Sequence, residues 1–262
     1  MLLRRLGNKT RLLPKLLELF PENITTFIDM FMGSGSVSFA MIDRAKYIIA
    51  NDKDEEIFNL FLVLKERQDD LVNAVKLMPI HAALFAYWKG QQEHDRVWRA
   101  ARFLMLSNFG LFGKPNTLKF GQDNNKQELL KGIDQVFKKI SNIYFMVCDF
   151  RDVLNKIGVR HERDLHNFFV YADPPYFETD SNYADDFTTQ DTQELFELLA
   201  GSNIRFAISE FDNPFILALA EKYGLKVIEL GERRNLNNRR MEILITNYDP
   251  APRQTSLFHG QL

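Results

Sequence analysis

Apolar residues recur along this chain with two different periods, and the change between them predicts where strands and helices lie. Short apolar runs near 25–30 and 46–51 indicate buried strands. Apolar residues three and four positions apart within 9–20 and 55–65 indicate amphipathic helices. From about residue 143 the two patterns alternate towards the end of the chain. This order of elements predicts a doubly wound, Rossmann-like α/β sheet.

The middle of the chain reads as an insertion after the second predicted strand. Residues 69–106 have helical spacing almost throughout, and residues 129–141 return to it. Between them, glycines and amides at 107–116 and alternation at 117–122 predict a loop or hairpin. The later strands and helices are predicted at Ile143–Val147, Phe168–Ala172, Asp191–Ala200, Ile204–Ser209, Pro214–Tyr223, Val227–Glu229 and Ile243–Tyr248. The insertion is therefore mainly helical.

A glycine-rich turn follows the first predicted strand. Gly33 and Gly35 let the backbone approach a ligand closely, and the helix predicted behind them offers free N–H groups. Asp52 ends the second strand, where a carboxylate can bind ribose hydroxyls, although Asn51 could take that position instead. No G-x-G-x-x-G motif is present. The pattern therefore favours a mononucleoside ligand over a dinucleotide.

The tetrapeptide Asp173-Pro174-Pro175-Tyr176 ends a later predicted strand. Two prolines stop the strand and stiffen the turn after it. The turn holds a carboxylate, two carbonyls and an aromatic ring together, which suits an exocyclic amine on a flat heterocycle. The carboxylate and a proline carbonyl would accept the two N–H bonds, while the ring stacks. A Pro-Pro turn that only closes a buried strand is the alternative interpretation.

Several segments, taken in order, resemble the sequence blocks of S-adenosylmethionine-dependent DNA adenine-N6 methyltransferases of the alpha class, the Dam-like group. The blocks are Leu6–Thr10, Phe31–Gly35, Asn51–Asp52, Cys148–Phe150, Asp173–Tyr176 and Met241–Tyr248. The ordered set covers nearly the whole chain up to about residue 248, and it is far more specific than any single block. Arg5 departs from the pattern, because the family usually has an aromatic residue there. Its planar guanidinium could still stack on the cofactor.

The resemblance implies a role for each block. Asp173, Pro174 and Tyr176 would be catalytic and would hold an adenine flipped out of duplex DNA. S-adenosylmethionine would be the methyl donor, and no metal would be needed. The residues implied to bind the donor are Arg5, Lys9, Phe31, Gly33, Ser34, Gly35, Asp52, Asp149, Phe150 and Asp173.

The resemblance also implies a division into domains. Residues 1–56 and 142–250 would form the catalytic domain, and residues 57–141 would form the target-recognition domain. Residues 251–262 would be a flexible C-terminal tail. Within this tail, Gln254–Phe258 resembles the short peptide with which bacterial proteins dock on the DNA sliding clamp.

A formal net charge of −2 does not by itself indicate a nucleic-acid partner, but basic residues cluster locally. One cluster comprises Arg233, Arg234, Arg239 and Arg240. A second comprises Arg96, Arg99 and Arg102. Clusters of this kind are usually solvated faces, whereas on a methyltransferase scaffold phosphate contacts become the favoured interpretation. Side chains in the insertion that are able to read base edges are Asn108, Asn116, Lys119 and Gln122.

Composition narrows the class further. Cys148 is the single cysteine, which excludes an intramolecular disulfide and a cysteine-based zinc site. No apolar stretch reaches the roughly 20 residues that cross a bilayer, and the N-terminus does not resemble a secretion signal. We therefore expect a cytoplasmic protein without a membrane partner.

Two other functions remain open from the sequence. The same scaffold could methylate another amine, such as cytosine N4, an RNA base or a glutamine side chain. Alternatively, the chain could be a DNA-binding protein that has lost catalysis, although Asp173, Tyr176 and the two turn glycines are intact.

Overall fold

The computed structural model describes the chain at residues 2–3, 9–111, 114–118, 125–158, 165–177, 187–234 and 239–250. Its α-helices are α1 (Leu13–Leu19), α2 (Ser36–Ala40), α3 (Glu55–Glu66), α4 (Gln68–Leu77), α5 (Ala82–Gly90), α6 (Arg96–Phe109), α7 (Lys126–Phe137), α8 (Phe150–Lys156), α9 (Thr189–Ala200) and α10 (Pro214–Lys222). Its strands are β1 (Ile24–Asp29), β2 (Ala45–Asn51), β3 (Gly110–Leu111), β4 (Lys114–Leu118), β5 (Ile143–Met146), β6 (Phe168–Ala172), β7 (Arg205–Phe211), β8 (Lys226–Arg234) and β9 (Arg239–Thr246). Short 3-10 helices lie at Lys9–Arg11 and Ile140–Asn142.

Within the described ranges, seven strands form the main sheet in the order β5-β2-β1-β6-β7-β9-β8. The first five of these are parallel, whereas β9 runs antiparallel to both of its neighbours. The chain leaves β1 towards β2 on one side and leaves β6 towards β7 on the other. The carboxyl ends of β1 and β6 therefore form the topological switch point, where open α/β sheets bind their ligands.

Helices cover both faces of the sheet, as expected for buried parallel strands. Along β6, Phe169 and Tyr171 join one apolar cluster, while Val170 and Ala172 join the other. The first cluster takes in α1 and helices of the insertion, and the second takes in α8, α9 and α10. The insertion thus shares a core with the sheet, and its limits at 57 and 141 stay a prediction.

The structure confirms the predicted doubly wound sheet and corrects some details. Helix α6 continues to Phe109, past the loop predicted from residue 107, and the Asn108 side-chain amide within it donates to the Leu104 carbonyl at 3.0 Å. Helix α8 was not anticipated, since the Asp149 that caps it reads equally well as a ligand. No helix in the described ranges is both long and apolar enough to cross a membrane.

Some predictions concern residues that the structure does not describe. Arg5, Lys119, Gln122 and the tail segment Gln254–Phe258 lie outside the described residues. The stacking role of Arg5, the DNA contact of Lys119 and the clamp-binding peptide therefore stay predictions.

Candidate active site

The strand pairing of β1 and β6 brings the glycine-rich turn and the tetrapeptide turn to the same edge of the sheet. Asp29 is the register partner of Tyr171, and the Met30 N–H donates to the Tyr171 carbonyl at 2.9 Å. Both turns follow directly from these paired ends. Two turns that are far apart in the sequence therefore lie next to each other at the carboxyl ends of the parallel strands.

Left-handed backbone shapes the glycine-rich turn. Gly33 has φ of +51° and Gly35 has φ of +76°, conformations that residues with a side chain rarely adopt. A Cβ on Gly35 would also lie 2.5 Å from the Phe39 ring. The Gly33 N–H donates to Asp52 Oδ2 at 2.7 Å, so the acid at the end of β2 holds the turn in place.

Asn51 and Asp52 play different parts at the end of β2. The Asn51 amide nitrogen donates to the carbonyls of Met30 and Cys148 at 3.0 and 3.1 Å, and its oxygen accepts the Cys148 N–H at 3.1 Å. Asn51 is therefore a buried clamp between neighbouring segments. Asp52, by contrast, lies beside the glycine turn, which favours it over Asn51 as the predicted ribose acid.

Three aromatic rings meet next to this turn. The Phe31 and Phe150 centroids are 5.7 Å apart, and Phe187 lies 5.8 Å from Phe31 and 5.7 Å from Phe150. The Arg151 guanidinium lies 4.5 Å from the Phe150 ring centroid. Asp149 caps α8 and pairs with Arg151 at 3.0 Å. Its predicted contact with a cofactor adenine stays a prediction.

Asp29 is a buried acid that the sequence did not single out. Its side chain is 1% exposed, and Oδ2 accepts the Ser38 hydroxyl at 2.6 Å. Its other oxygen, Oδ1, has no hydrogen-bond partner among the described residues. Burial raises the pKa of Asp29 to about 7, and the nearby Asp173 and Asp52 carboxylates add to the rise.

Asp173 is paired with Lys9. The Lys9 ammonium lies 2.6 Å from Asp173 Oδ1 and 3.2 Å from Glu242 Oε1. Lys9 and Glu242 are each 3% exposed, and Asp173 is 19% exposed. Burial raises the pKa of the Asp173 carboxyl above its ordinary value, and the Lys9 ammonium opposes that rise. Lys9, which was predicted to contact a cofactor, therefore lies against the predicted catalytic acid.

The Tyr176 ring is held by several neighbours. Its hydroxyl donates to Glu242 Oε1 at 2.6 Å. Its ring meets Phe211 edge-on, with centroids 4.6 Å apart, and the Lys9 ammonium lies 4.7 Å from its centroid. Pro174, also predicted to be catalytic, is buried beside it.

A second buried acid, Glu210, forms hydrogen bonds that hold the Asp173–Tyr176 turn in place. Its two oxygens accept the N–H groups of Phe177 and Phe211 at 2.8 and 2.7 Å. Burial raises the pKa of Glu210 to about 8, although these two hydrogen bonds oppose the rise. The end of β7 is thereby tied to the residue after Tyr176.

The structure contradicts some of the predicted DNA contacts. Asn108 is buried, and its amide nitrogen donates to the carbonyls of Leu2 and Leu104, so it cannot read a base edge. On α6, Arg99 pairs with Glu55 and Glu56 of α3. The other two arginines of that row behave in the same way: Arg96 reaches Asn59 and Glu66, and Arg102 reaches Glu56 and the Trp88 carbonyl.

The arginines of the other cluster lie on the hairpin formed by β8 and β9. In the backbone register Arg233 is opposite Arg240, and Arg234 is opposite Arg239. The pairing of β8 with β9 thus extends past Glu242 to Arg234 and Arg239. The predicted DNA contacts of Arg233, Arg234 and Arg239 stay predictions.

Sequence reasoning missed Asp29, Glu210 and Glu242, and one signal could have found them. Each is an acid within or at the end of a strongly apolar strand, where burial of a charge is costly. An acid in such a place needs a hydrogen-bonding or charged partner to offset the cost of its burial.

The match to a known family agrees with this site. Residues 6–236 match the model of the D12 class N6 adenine-specific DNA methyltransferases. The chain belongs to this family, which confirms the resemblance found from the sequence blocks.

Two similar proteins are bacterial methyltransferases. Modification methylase StsI from Streptococcus sanguinis is 24% identical over 295 residues, which are 94% of this chain and 42% of StsI. Type II methyltransferase M1.LlaDCHI from Lactococcus lactis subsp. cremoris is also 24% identical, over 92% of this chain and 93% of its own length. The chain thus spans less than half of one relative and nearly all of the other.

Among solved structures, an rRNA methylase from Streptococcus thermophilus is a neighbour with a TM-score of 0.39 and 10% identity. The match covers 88% of this chain and 91% of the methylase. At that level of likeness it supports no conclusion about the substrate.

Proposed function

We propose that this protein transfers a methyl group from S-adenosylmethionine to N6 of a specific adenine in duplex DNA, as a modification methylase. The observation that carries the proposal is the placement of the Asp173–Tyr176 turn beside the Gly33–Gly35 turn at the switch point of the sheet. A nucleoside site and an amine-binding site are then neighbours, as methyl transfer between two adenine-containing groups requires.

The residues present fit S-adenosylmethionine chemically. The left-handed glycine turn leaves the backbone open to close approach, and three phenylalanine rings offer apolar faces to a purine. Asp52 supplies a carboxylate for ribose hydroxyls. The residues that would hold the donor are Lys9, Phe31, Gly33, Ser34, Gly35, Asp52, Phe150 and Asp173. When bound, the donor supplies an electrophilic methyl group on a sulfonium.

The work of the protein is to make the adenine amine nucleophilic. The N6 lone pair is delocalised into the ring and attacks poorly. The Asp173 carboxylate and the Pro174 carbonyl would accept the two N6–H bonds and favour a pyramidal nitrogen. The same groups would stabilise the positive charge that grows on N6. Tyr176 would stack on the flipped base and exclude water from it.

DNA would reach this edge from the side of the β8–β9 hairpin. Arg233, Arg234 and Arg239 are the candidates for phosphate contacts, because the α6 arginines are engaged with acids of the protein itself.

The test is transfer of radiolabelled methyl from S-adenosylmethionine to unmethylated genomic DNA, beside Asp173→Ala, followed by identification of the modified base. We expect N6-methyladenine from the unchanged protein and none from the variant. Label in cytosine, RNA or protein would contradict the proposed substrate. The absence of both methyl transfer and cofactor binding would favour a non-catalytic DNA-binding protein.

A further inference from the structure

Glu242 lies within the site through the direction of its strand. It is near the start of β9, and because β9 runs antiparallel, this end meets the carboxyl ends of the parallel strands. Its register partner is Phe211, at the end of β7. A buried acid is thereby placed beside the tetrapeptide turn.

One oxygen of Glu242 contacts two groups of the proposed machinery. Oε1 accepts the Tyr176 hydroxyl at 2.6 Å and lies 3.2 Å from the Lys9 ammonium. The same ammonium is 2.6 Å from Asp173. Lys9 is therefore shared between two carboxylates, and the shorter of the two distances is to the acid that must bind the adenine amine.

This sharing creates a competition at Asp173. An ammonium at hydrogen-bond distance occupies a lone pair of the Asp173 carboxylate. It also neutralises negative charge that would otherwise stabilise the positive charge developing on N6. The Glu242 carboxylate gives Lys9 an alternative partner, so the ammonium can release Asp173 without leaving the site. With one ammonium and two carboxylates, this trio keeps a surplus negative charge.

We propose that Glu242 is a positioning residue for the reaction: it takes over Lys9 when the target amine engages Asp173, and it orients the Tyr176 ring through its hydroxyl. This inference rests on the proposed function. The role of this β9 residue would depend on its charge as well as on its shape.

The experiment measures single-turnover methyl transfer at saturating DNA and S-adenosylmethionine in Glu242→Gln, Lys9→Gln and the double variant. The amide in Glu242→Gln keeps the volume and can accept a hydrogen bond from the Tyr176 hydroxyl, but it lacks the negative charge that attracts the Lys9 ammonium. We expect about a tenfold loss from Glu242→Gln in the unchanged protein. In the Lys9→Gln background the same change should cost less than about twofold, because the competing ammonium is absent. An equal fold loss of rate from Glu242→Gln in the unchanged protein and in the Lys9→Gln background would overturn the inference.

Glu242→Asp separates charge from shape, and it is also available should Glu242→Gln not fold. It keeps the carboxylate but fits less well than glutamine. If Glu242 acts through its charge, Glu242→Asp should keep more activity than Glu242→Gln. If Glu242→Gln does not fold, Glu242→Asp should still keep at least about a tenth of the normal rate. A lower rate than that would indicate a structural role and overturn the inference.

Thr246→Val is the matched control on the same strand. Thr246 is fully buried and donates to the Tyr248 carbonyl at 2.9 Å, about 13 Å along the strand from Glu242. It should lower stability and leave the rate of the folded protein unchanged. No adenine methylation by the unchanged protein would overturn the proposed function and this inference with it, whereas an active protein with uncoupled variants would overturn the inference alone.

Discussion

Two charged clusters in this molecule are built in opposite ways. At the sheet edge, Lys9 faces Asp173 and Glu242 in a nearly closed environment, where the carboxylates outnumber the ammonium within the trio. Between α3 and α6, Arg99 pairs with Glu56, and the two are 27% and 20% exposed. Buried charge is costly unless its partners are retained, while surface pairs contribute little. The burial of the charges, more than their number, distinguishes the proposed site from the scaffold.

Removal of the cation from each cluster gives the largest expected difference. Lys9→Met should lower the free energy of unfolding by about 3 kcal/mol near pH 8, because it leaves buried carboxylates unpaired. Without Lys9 the already raised pKa of Asp173 rises further. An acid with a raised folded-state pKa loses stability as pH rises, so the loss should shrink near pH 5.

Arg99→Met is the matched change in the other cluster. It should cost less than about 1 kcal/mol, because its partners Glu55 and Glu56 can turn to water. Urea unfolding at both pH values measures the two variants side by side. Equal losses would mean that the two clusters do not differ in kind.

A smaller effect concerns the two sets of arginines. Arg233→Ala combined with Arg234→Ala should weaken DNA binding about tenfold and reduce the salt slope by about one for each phosphate that is no longer neutralised. Arg99→Ala combined with Arg102→Ala should change neither quantity, because these side chains already pair with acids of α3. Fluorescence anisotropy with labelled DNA over a salt series makes the measurement. A flatter salt slope in the α6 variant would contradict the assignment.

A pH-dependent effect on stability is expected at Glu210. Its pKa of about 8 in the folded protein lies above the ordinary value of 4.5, so the Glu210 carboxyl ionises at lower pH in the unfolded chain than in the folded protein. Stability should therefore fall as pH rises from about 5 to 8, by at most about 1.4 kcal/mol per pH unit from this group. Glu210→Gln should flatten this dependence in urea unfolding. An equally steep decline in the variant would show that Glu210 is ionised in the folded protein.

Much of the fold and part of the site follow from local sequence. Prolines after β6 and glycines after β1 end their strands at known positions, and parallel strands end at one edge. The neighbourhood of Asp173 and Gly33 could therefore be predicted without long-range information.

The contacts that arrange the site could not be predicted in this way. Tyr176 and Glu242 are 66 positions apart, and they meet only because β9 runs antiparallel beside β7. Asn108 was misread for a related reason, since an amide in a polar stretch can face a helix carbonyl as well as a base. The helical spacing of Arg99 likewise indicates a face, but not that α3 supplies acids opposite it.

The most direct measurement is the single-turnover rate of methyl transfer by Asp173→Asn, with the melting temperature measured on the same sample. The amide keeps the shape of Asp173 but removes its charge and presents N–H groups to the adenine amine. The rate should fall by about a thousandfold with the fold intact. A rate within about tenfold of the unchanged protein would contradict the conclusion that the Asp173 carboxylate carries the chemistry.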